Sequence, residues 1–230
     1  MKISSEFSKH ALSYESLNSI QTEVVQKLLL SVRSKPQHIL DLGCGSGAIC
    51  KSIDWKYEKF TGIDFAKGML ELHPKSENIE AIYGDFNDKT LFEHLQTQQY
   101  DYIFSASALQ WAQDLQSVFQ GIHTLNAPVA LAIFTANTFK TLNATASLQP
   151  LLQSSKAIQK LQEKYFDADF EVLQYNMEFS SVREMFQYIK RSGVSGSRKV
   201  LSFKETKQLM RAYPLSYLEF EVAFITSRVK

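Results

Sequence analysis

The sequence feature that most constrains the fold is a glycine-rich loop that directly follows a short apolar run. Residues 38–42, HILDL, are apolar enough for a buried strand, and residues 43–48, GCGSGA, come next. Glycine adopts left-handed backbone conformations at little cost, so these glycines allow a tight turn and let a ligand approach the backbone closely. The succession of strand, glycine turn and helix predicts the opening unit of a doubly wound α/β sheet.

Further apolar runs follow at intervals that leave room for helices. The predicted strands after the first are FTGIDF at 60–65, IEAIYGDF at 79–86, YDYIF at 100–104 and VALAIFTA at 129–136. Strands that alternate with crossover helices form a mainly parallel sheet. An amphipathic helix is predicted within 15–33, another helix at 181–192, and strands at 170–179 and 217–227.

The chain is long enough for one core, and we predict a single domain over residues 1–230. Residues 1–34 are predicted to form an N-terminal lid and helix. The polar stretch 137–168 has helical Leu spacing and no strand signal, so it predicts an inserted helical cap. Residues 191–216 form a second predicted insertion on the substrate side.

The charge balance excludes several classes of partner. Lys and Arg total 25 against 24 Asp and Glu, so we expect neither a nucleic-acid nor a membrane surface. No apolar run reaches the length of a signal peptide or a bilayer span, which predicts a cytoplasmic protein. The two cysteines and the scattered histidines have no metal-ligand spacing, so no metal site is expected.

The glycine loop alone leaves two kinds of ligand open. Gly43, Gly45 and Ala48 also fit a dinucleotide fingerprint, and Asp64 lies near the position of an acid that binds a nicotinamide cofactor's ribose. Asp41 argues against a dinucleotide and favours S-adenosylmethionine, because a carboxylate before the loop would repel a pyrophosphate. S-adenosylmethionine carries an ammonium and a sulfonium and no phosphate, so the same carboxylate attracts it.

On this basis each part of the cofactor has candidate contacts. Asp64 matches the ribose diol with two carboxylate oxygens, and Asp85 is placed to accept from the adenine amine. Each residue taken singly is explained equally well as a turn residue or a core aromatic, and the combination favours a site. The predicted cofactor contacts are Asp41, Gly43, Cys44, Gly45, Gly47, Asp64, Phe65, Met69, Asp85, Phe86 and Ser105.

The motifs LDLGCGSG, GIDFAKGML, GDF and SASALQW, within residues 38–111, resemble those of the class I S-adenosylmethionine-dependent methyltransferases. The resemblance implies a Rossmann-like sheet of seven mostly parallel strands with the last strand antiparallel, which agrees with the alternating run at 217–227. The family's usual proline-glycine turn before the fifth strand is replaced here by LNAPVALAIF.

A looser resemblance covers nearly the whole chain. The segments FSKHALSYESLNSIQ, ALQW and YIKRSGVSGSRKVLS resemble the malonyl-[acyl-carrier protein] O-methyltransferases of biotin synthesis. This resemblance implies that Tyr14 and Gln21 lie over the cofactor as part of a lid and that Trp111 lies beside the transferred methyl. The implied partner is an acyl carrier protein bearing a malonyl group, or a small carboxylate substrate.

A carboxylate acceptor is ionised at neutral pH, so the predicted transfer, which leaves S-adenosylhomocysteine, requires no catalytic base. Tyr14 and Trp111 would then only position the reactants, and Arg191 and Arg198 are the candidate anchors for the acceptor carboxylate. Three alternatives stay open: another carboxylate or phenolate methyltransferase, a silent cofactor-binding or carrier-binding module, and, less favoured, a nucleic-acid methyltransferase.

Overall fold

The computed structural model describes residues 19–192 and 203–228, without the side chains of residues 190–192 and 203. These residues form a seven-stranded sheet in the order β3-β2-β1-β4-β5-β7-β6. Strands β1 to β5 are mutually parallel, and β7 runs antiparallel to both β5 and β6. The strands are β1 His38–Leu42, β2 Lys59–Asp64, β3 Ile79–Tyr83, β4 Tyr102–Ala106, β5 Val129–Phe134, β6 Ala168–Glu178 and β7 Tyr217–Ser227.

This sheet confirms the predicted fold class, including the antiparallel last strand. The central strands β1, β4 and β5 are almost entirely buried, because helices cover both faces of the sheet. That burial explains why these strands appear in the sequence as continuous apolar runs.

Helices follow the strands as the alternating pattern predicts. They are α1 Ser19–Ser31, α2 Ala48–Ser52, α3 Lys67–Leu72, α4 Lys89–Leu95, α5 Leu115–Thr124, α6 Lys140–Thr145, α7 Ser155–Tyr165, α8 Val182–Ser192 and α9 Phe203–Ala212, with a 3₁₀ turn at Leu109–Trp111. One face of the sheet packs against α1, α2, α6, α8 and α9, and the other against α4, α5 and α7. None of the helices in the described ranges is long and apolar enough to cross a membrane.

The segment predicted as a cap, 137–168, divides into two parts with different positions. Helix α7 packs against α5, β6 and β7 and buries Ile158 completely, which is the position of an ordinary crossover helix. Helix α6 instead follows the carboxyl end of β5 and contacts the beginning of β7. Only the part around α6 therefore lies where a cap over the sheet edge could form, and its role as a cap stays a prediction.

Candidate functional site

A pocket opens at the carboxyl edge of the sheet, where β1, β2 and β4 end side by side. Parallel strands bring the loops that follow them to one edge, so residues distant in sequence converge there. Helix α1 closes the pocket from one side. The lining residues are Gln21, Val25, Gly43, Cys44, Gly45, Ser46, Ala48, Asp64, Phe65, Met69, Phe86, Ala106, Ser107, Ala108 and Trp111.

The glycine loop turns through three left-handed residues. Gly43, Gly45 and Gly47 have φ of 75°, 54° and 88°, values that other residues adopt only with strain. A Cβ at Gly43 would lie 2.2 Å from the Cβ of Ala108, and a Cβ at Gly47 would lie 2.5 Å from Pro74 Cδ. The loop therefore packs directly against β4's loop on one side and against the end of α3 on the other.

Asp41 lies beneath this loop at the end of β1. Its side chain is 1% exposed, and its Oδ1 has no hydrogen-bond partner among the described residues. Burial, and secondarily the negative charge of Asp64, raise the pKa of Asp41 well above its usual value. A desolvated carboxylate with an unpaired oxygen favours a nearby cation or hydrogen-bond donor. Asp41 is not among the lining residues of the pocket, so its contact with the cofactor stays a prediction.

Asp64 ends β2 and connects two loops. Its Oδ2 accepts from the Gly45 backbone N–H at 2.9 Å, and its Oδ1 accepts from the Ala66 N–H at 2.7 Å. Burial raises the pKa of Asp64, and these N–H donors oppose that shift. Since each carboxylate oxygen can accept more than one hydrogen bond, both oxygens retain capacity for a diol.

Apolar side chains form the wall of the pocket next to Asp64. Met69 and Phe86 are 4% and 7% exposed, and both line the pocket together with Phe65. Asp85, which precedes Phe86, is half-buried, and its Oδ1 accepts from the backbone N–H and the side-chain amide of Asn87. Asp85 is not among the lining residues, so its contact with adenine stays a prediction.

The end of β4 places its two serines differently. Ser105 is fully buried, and its hydroxyl donates to the Leu42 carbonyl at 2.6 Å, so it ties β4 to β1 behind the pocket wall. Ser105 is not among the lining residues, so its contact with the cofactor stays a prediction. Ser107 lines the pocket instead, and so does Trp111, which belongs to the short 3₁₀ turn. The place of Trp111 beside the transferred methyl stays a prediction.

Of the remaining predicted residues, Gly47 is not among the lining residues, so its contact with the cofactor stays a prediction. Cys44 lines the pocket and is 5% exposed, and burial followed by the charge of Asp41 raises the pKa of its thiol. Gln21 of α1 also lines the pocket, and the N-terminal lid to which it was assigned stays a prediction. Tyr14 and Arg198 lie outside the described residues, as does the side chain of Arg191.

Sequence reasoning missed Ser107 and the alanines on either side of it. Their signal was the run of small residues SASA directly after an apolar strand. Small side chains at a strand's carboxyl end indicate a close approach of two chain segments, and here Ala108 packs against Gly43.

Comparison with known proteins agrees with this geometry. A malonyl-[acyl-carrier protein] O-methyltransferase from Hamiltonella defensa is 24% identical over 237 residues, covering 96% of this chain and 90% of its own. The corresponding protein from Acetivibrio thermocellus is 28% identical over 266 residues, with 97% and 92% covered. The protein of that name from Legionella pneumophila is 29% identical over 154 residues, covering 64% of this chain and 54% of its own.

Solved structures share the fold at low identity. The YcgJ protein from Bacillus subtilis superposes with a TM-score of 0.62 at 13% identity, covering 90% of this chain and 99% of its own. Phosphoethanolamine N-methyltransferase 2 from Haemonchus contortus, solved with S-adenosyl-L-methionine, gives 0.56 at 15% identity, covering 96% and 57%.

A family model described as a methyltransferase domain matches residues 33–188. This match covers more than half of the chain and includes β1 to β6 with the whole glycine loop. It assigns the loop to a methyltransferase and not to a nicotinamide-dependent dehydrogenase. The chain therefore belongs to the methyltransferase domain family.

Proposed function

We propose that this methyltransferase transfers a methyl group from S-adenosylmethionine to a free carboxylate, and that the acceptor is a malonyl group on acyl carrier protein. The observation that supports S-adenosylmethionine as the methyl donor is the pair of buried carboxylates, Asp41 and Asp64, on either side of the glycine loop. The malonyl acceptor is supported by the relatives that align over nearly the whole chain, since they are named malonyl-[acyl-carrier protein] O-methyltransferases.

The residues that line the pocket, together with the buried Asp41 beneath the loop, fit the proposed cofactor in charge and shape. The unpaired Oδ1 of Asp41 suits a ligand with positive charge, and Asp64 retains acceptor capacity for the ribose hydroxyls. The glycines remove side chains from the path of the ligand, and the wall of Met69 and Phe86 suits a flat base.

In this proposal the cofactor supplies a methyl group whose bond to sulfur breaks with its electron pair remaining on sulfur. One acceptor carboxylate oxygen forms the new bond to carbon. Because that carboxylate is already ionised at neutral pH, no proton has to be removed. The protein's part is to align the two reactants and exclude water. Trp111 lines the pocket, and its proposed role is to position the acceptor beside the methyl group.

Methyl transfer from labelled S-adenosylmethionine tests the proposal directly. Malonyl-acyl carrier protein is the acceptor, and acetyl-acyl carrier protein, which lacks a free carboxylate, is the control. We expect transfer to the malonyl form alone. Transfer to neither form, with S-adenosylhomocysteine still bound, would contradict the malonyl acceptor and favour another small carboxylate or a phenolate.

Arg191 and Arg198 are the proposed anchors for the acceptor carboxylate. Alanine at either position should raise the acceptor KM without changing cofactor affinity.

A further inference from the structure

Ser107 has an unusual backbone at the end of β4. Its φ is 61°, in the left-handed region that residues other than Gly, Asn and Asp rarely adopt. Two hydrogen bonds hold it there: its N–H donates to the Ala132 carbonyl at 2.9 Å, and its carbonyl accepts from Gln110 Nε2 at 2.6 Å. Strain that the surrounding structure holds in place is typical of functional sites.

The hydroxyl of Ser107 is a second, independent observation. Ser107 lines the pocket, yet its Oγ is buried and has no hydrogen-bond partner within the described part of the chain. The Oε1 of Gln21, which also lines the pocket, is likewise buried and without a hydrogen-bond partner among the described residues. Buried polar groups are nearly always paired in native proteins, so unpaired groups beside a pocket point to a ligand that completes them.

The order of the strands indicates which part of the ligand is near Ser107. The pocket runs from the end of β2, across β1, to the end of β4. With the ribose at Asp64 on β2 and the amino-acid part at the glycine loop on β1, the β4 side remains for the reacting methyl and its acceptor. Trp111 lies on that side as well.

We propose that Ser107 is an acceptor-binding residue whose hydroxyl donates a hydrogen bond to the acceptor carboxylate. This inference rests on the proposed function. The hydroxyl holds the carboxylate oxygen that does not attack, which turns the other oxygen toward the methyl carbon. The left-handed backbone, fixed by Gln110 and by the pairing with β5, sets the direction of the hydroxyl before the acceptor binds.

Two substitutions separate the hydroxyl from the backbone strain. Ser107→Ala removes the hydroxyl and keeps the strain, whereas Ser107→Gly removes both. The exposed Ser52→Ala, at the end of α2, is the control for loss of a serine hydroxyl elsewhere.

The decisive readout is binding without turnover. Calorimetry measures the affinity of malonyl-pantetheine for each protein saturated with S-adenosylhomocysteine, and the affinity of S-adenosylhomocysteine alone. We expect both Ser107 variants to bind the malonyl thioester about tenfold more weakly, the loss typical of a hydrogen bond to a charged group. Binding of S-adenosylhomocysteine should stay within about twofold of the wild type, which also shows that the variants fold.

The outcomes separate this inference from the proposed function. Unchanged malonyl-pantetheine affinity in Ser107→Ala overturns the inference, and so does an equal loss of S-adenosylhomocysteine affinity, which would assign the hydroxyl to the cofactor. Failure of the wild type to bind malonyl-pantetheine overturns it too. If the wild type transfers no methyl to malonyl-acyl carrier protein but Ser107→Ala still weakens carboxylate binding, the proposed function fails and the site stands.

Discussion

Gly43→Ala is the sharpest test of how the loop is built, because two separate costs can be worked from the structure. An alanine at position 43 must keep the φ of 75°, and this left-handed region costs residues other than glycine about 1–2 kcal/mol. It would also lie 2.2 Å from Ala108 Cβ, far inside the contact distance of about 3.5–4.0 Å between carbons. Such overpacking costs about 1–3 kcal/mol, so we expect a total loss of about 2–5 kcal/mol in the free energy of unfolding.

Gly45→Ala is the matched control within the same loop. Its φ is 54°, but its Cβ would meet only Met69 Cε at an ordinary 3.5 Å, so we expect the backbone cost of about 1–2 kcal/mol alone. The added methyl group leaves the N–H donor to Asp64 in place.

Urea unfolding of the two variants, with Ala108→Gly and the double variant Gly43→Ala/Ala108→Gly, forms a double-mutant cycle. The double variant removes the colliding methyl and should recover about 1–3 kcal/mol of the loss. Equal losses for Gly43→Ala and Gly45→Ala, together with no coupling between positions 43 and 108, would refute the packing argument.

Three further predictions concern buried ionisable groups. Asp64→Asn should weaken S-adenosylmethionine binding at least tenfold in calorimetry, because one acceptor oxygen becomes a donor; unchanged affinity would remove Asp64 from the ribose contact. Burial opposes ionisation of Glu221, but hydrogen bonds from Thr135 and Asn137 outweigh it and lower its pKa. Its stabilisation is therefore present above the unfolded pKa of about 4.3 and lost as pH falls below it, so Tm should fall more steeply from pH 5 to 3 in the wild type than in Glu221→Gln. Burial lowers the pKa of His73, so the folded state binds its proton less well, and stability should decrease as pH falls below about 6.5; His73→Gln should flatten that part of the Tm profile.

The cofactor half of the site was predictable because its determinants are local. Asp41, the glycines and Asp64 each follow an apolar run, and parallel pairing brings the ends of such runs to one edge. The left-handed turn of the loop was also predictable from local sequence, because glycine is the residue that adopts positive φ most readily. Register then placed Asp41 opposite Gly62, two residues before Asp64.

The position of Ser107 was not predictable, because its conformation depends on contacts between distant segments. Serine has no strong preference for positive φ. The hydrogen bond of Ser107 to β5 and the hydrogen bond from Gln110 hold this residue in the left-handed conformation. Helix α7 was predicted as a helix, but its packing against the sheet was not predictable, for a different reason. Its Gln162 is 3% exposed and donates to the Phe166 and Ala168 carbonyls, so a residue that predicts a surface in sequence is buried in the structure.

The two acids decide the ligand class more than the glycines do. A left-handed glycine loop before a helix serves dinucleotides equally well, and its backbone geometry cannot distinguish the two ligands. Asp41 and Asp64 raise the electrostatic cost of any anion at this edge, and burial, followed by the charge of Asp64, already raises the pKa of Asp41. A cationic ligand stabilises the ionised form of Asp41 and lowers that pKa, whereas a pyrophosphate would raise it further. The proposed sulfonium cofactor therefore offsets the electrostatic cost of ionising Asp41 in the folded chain. It should bind more tightly as pH rises through the pKa of Asp41.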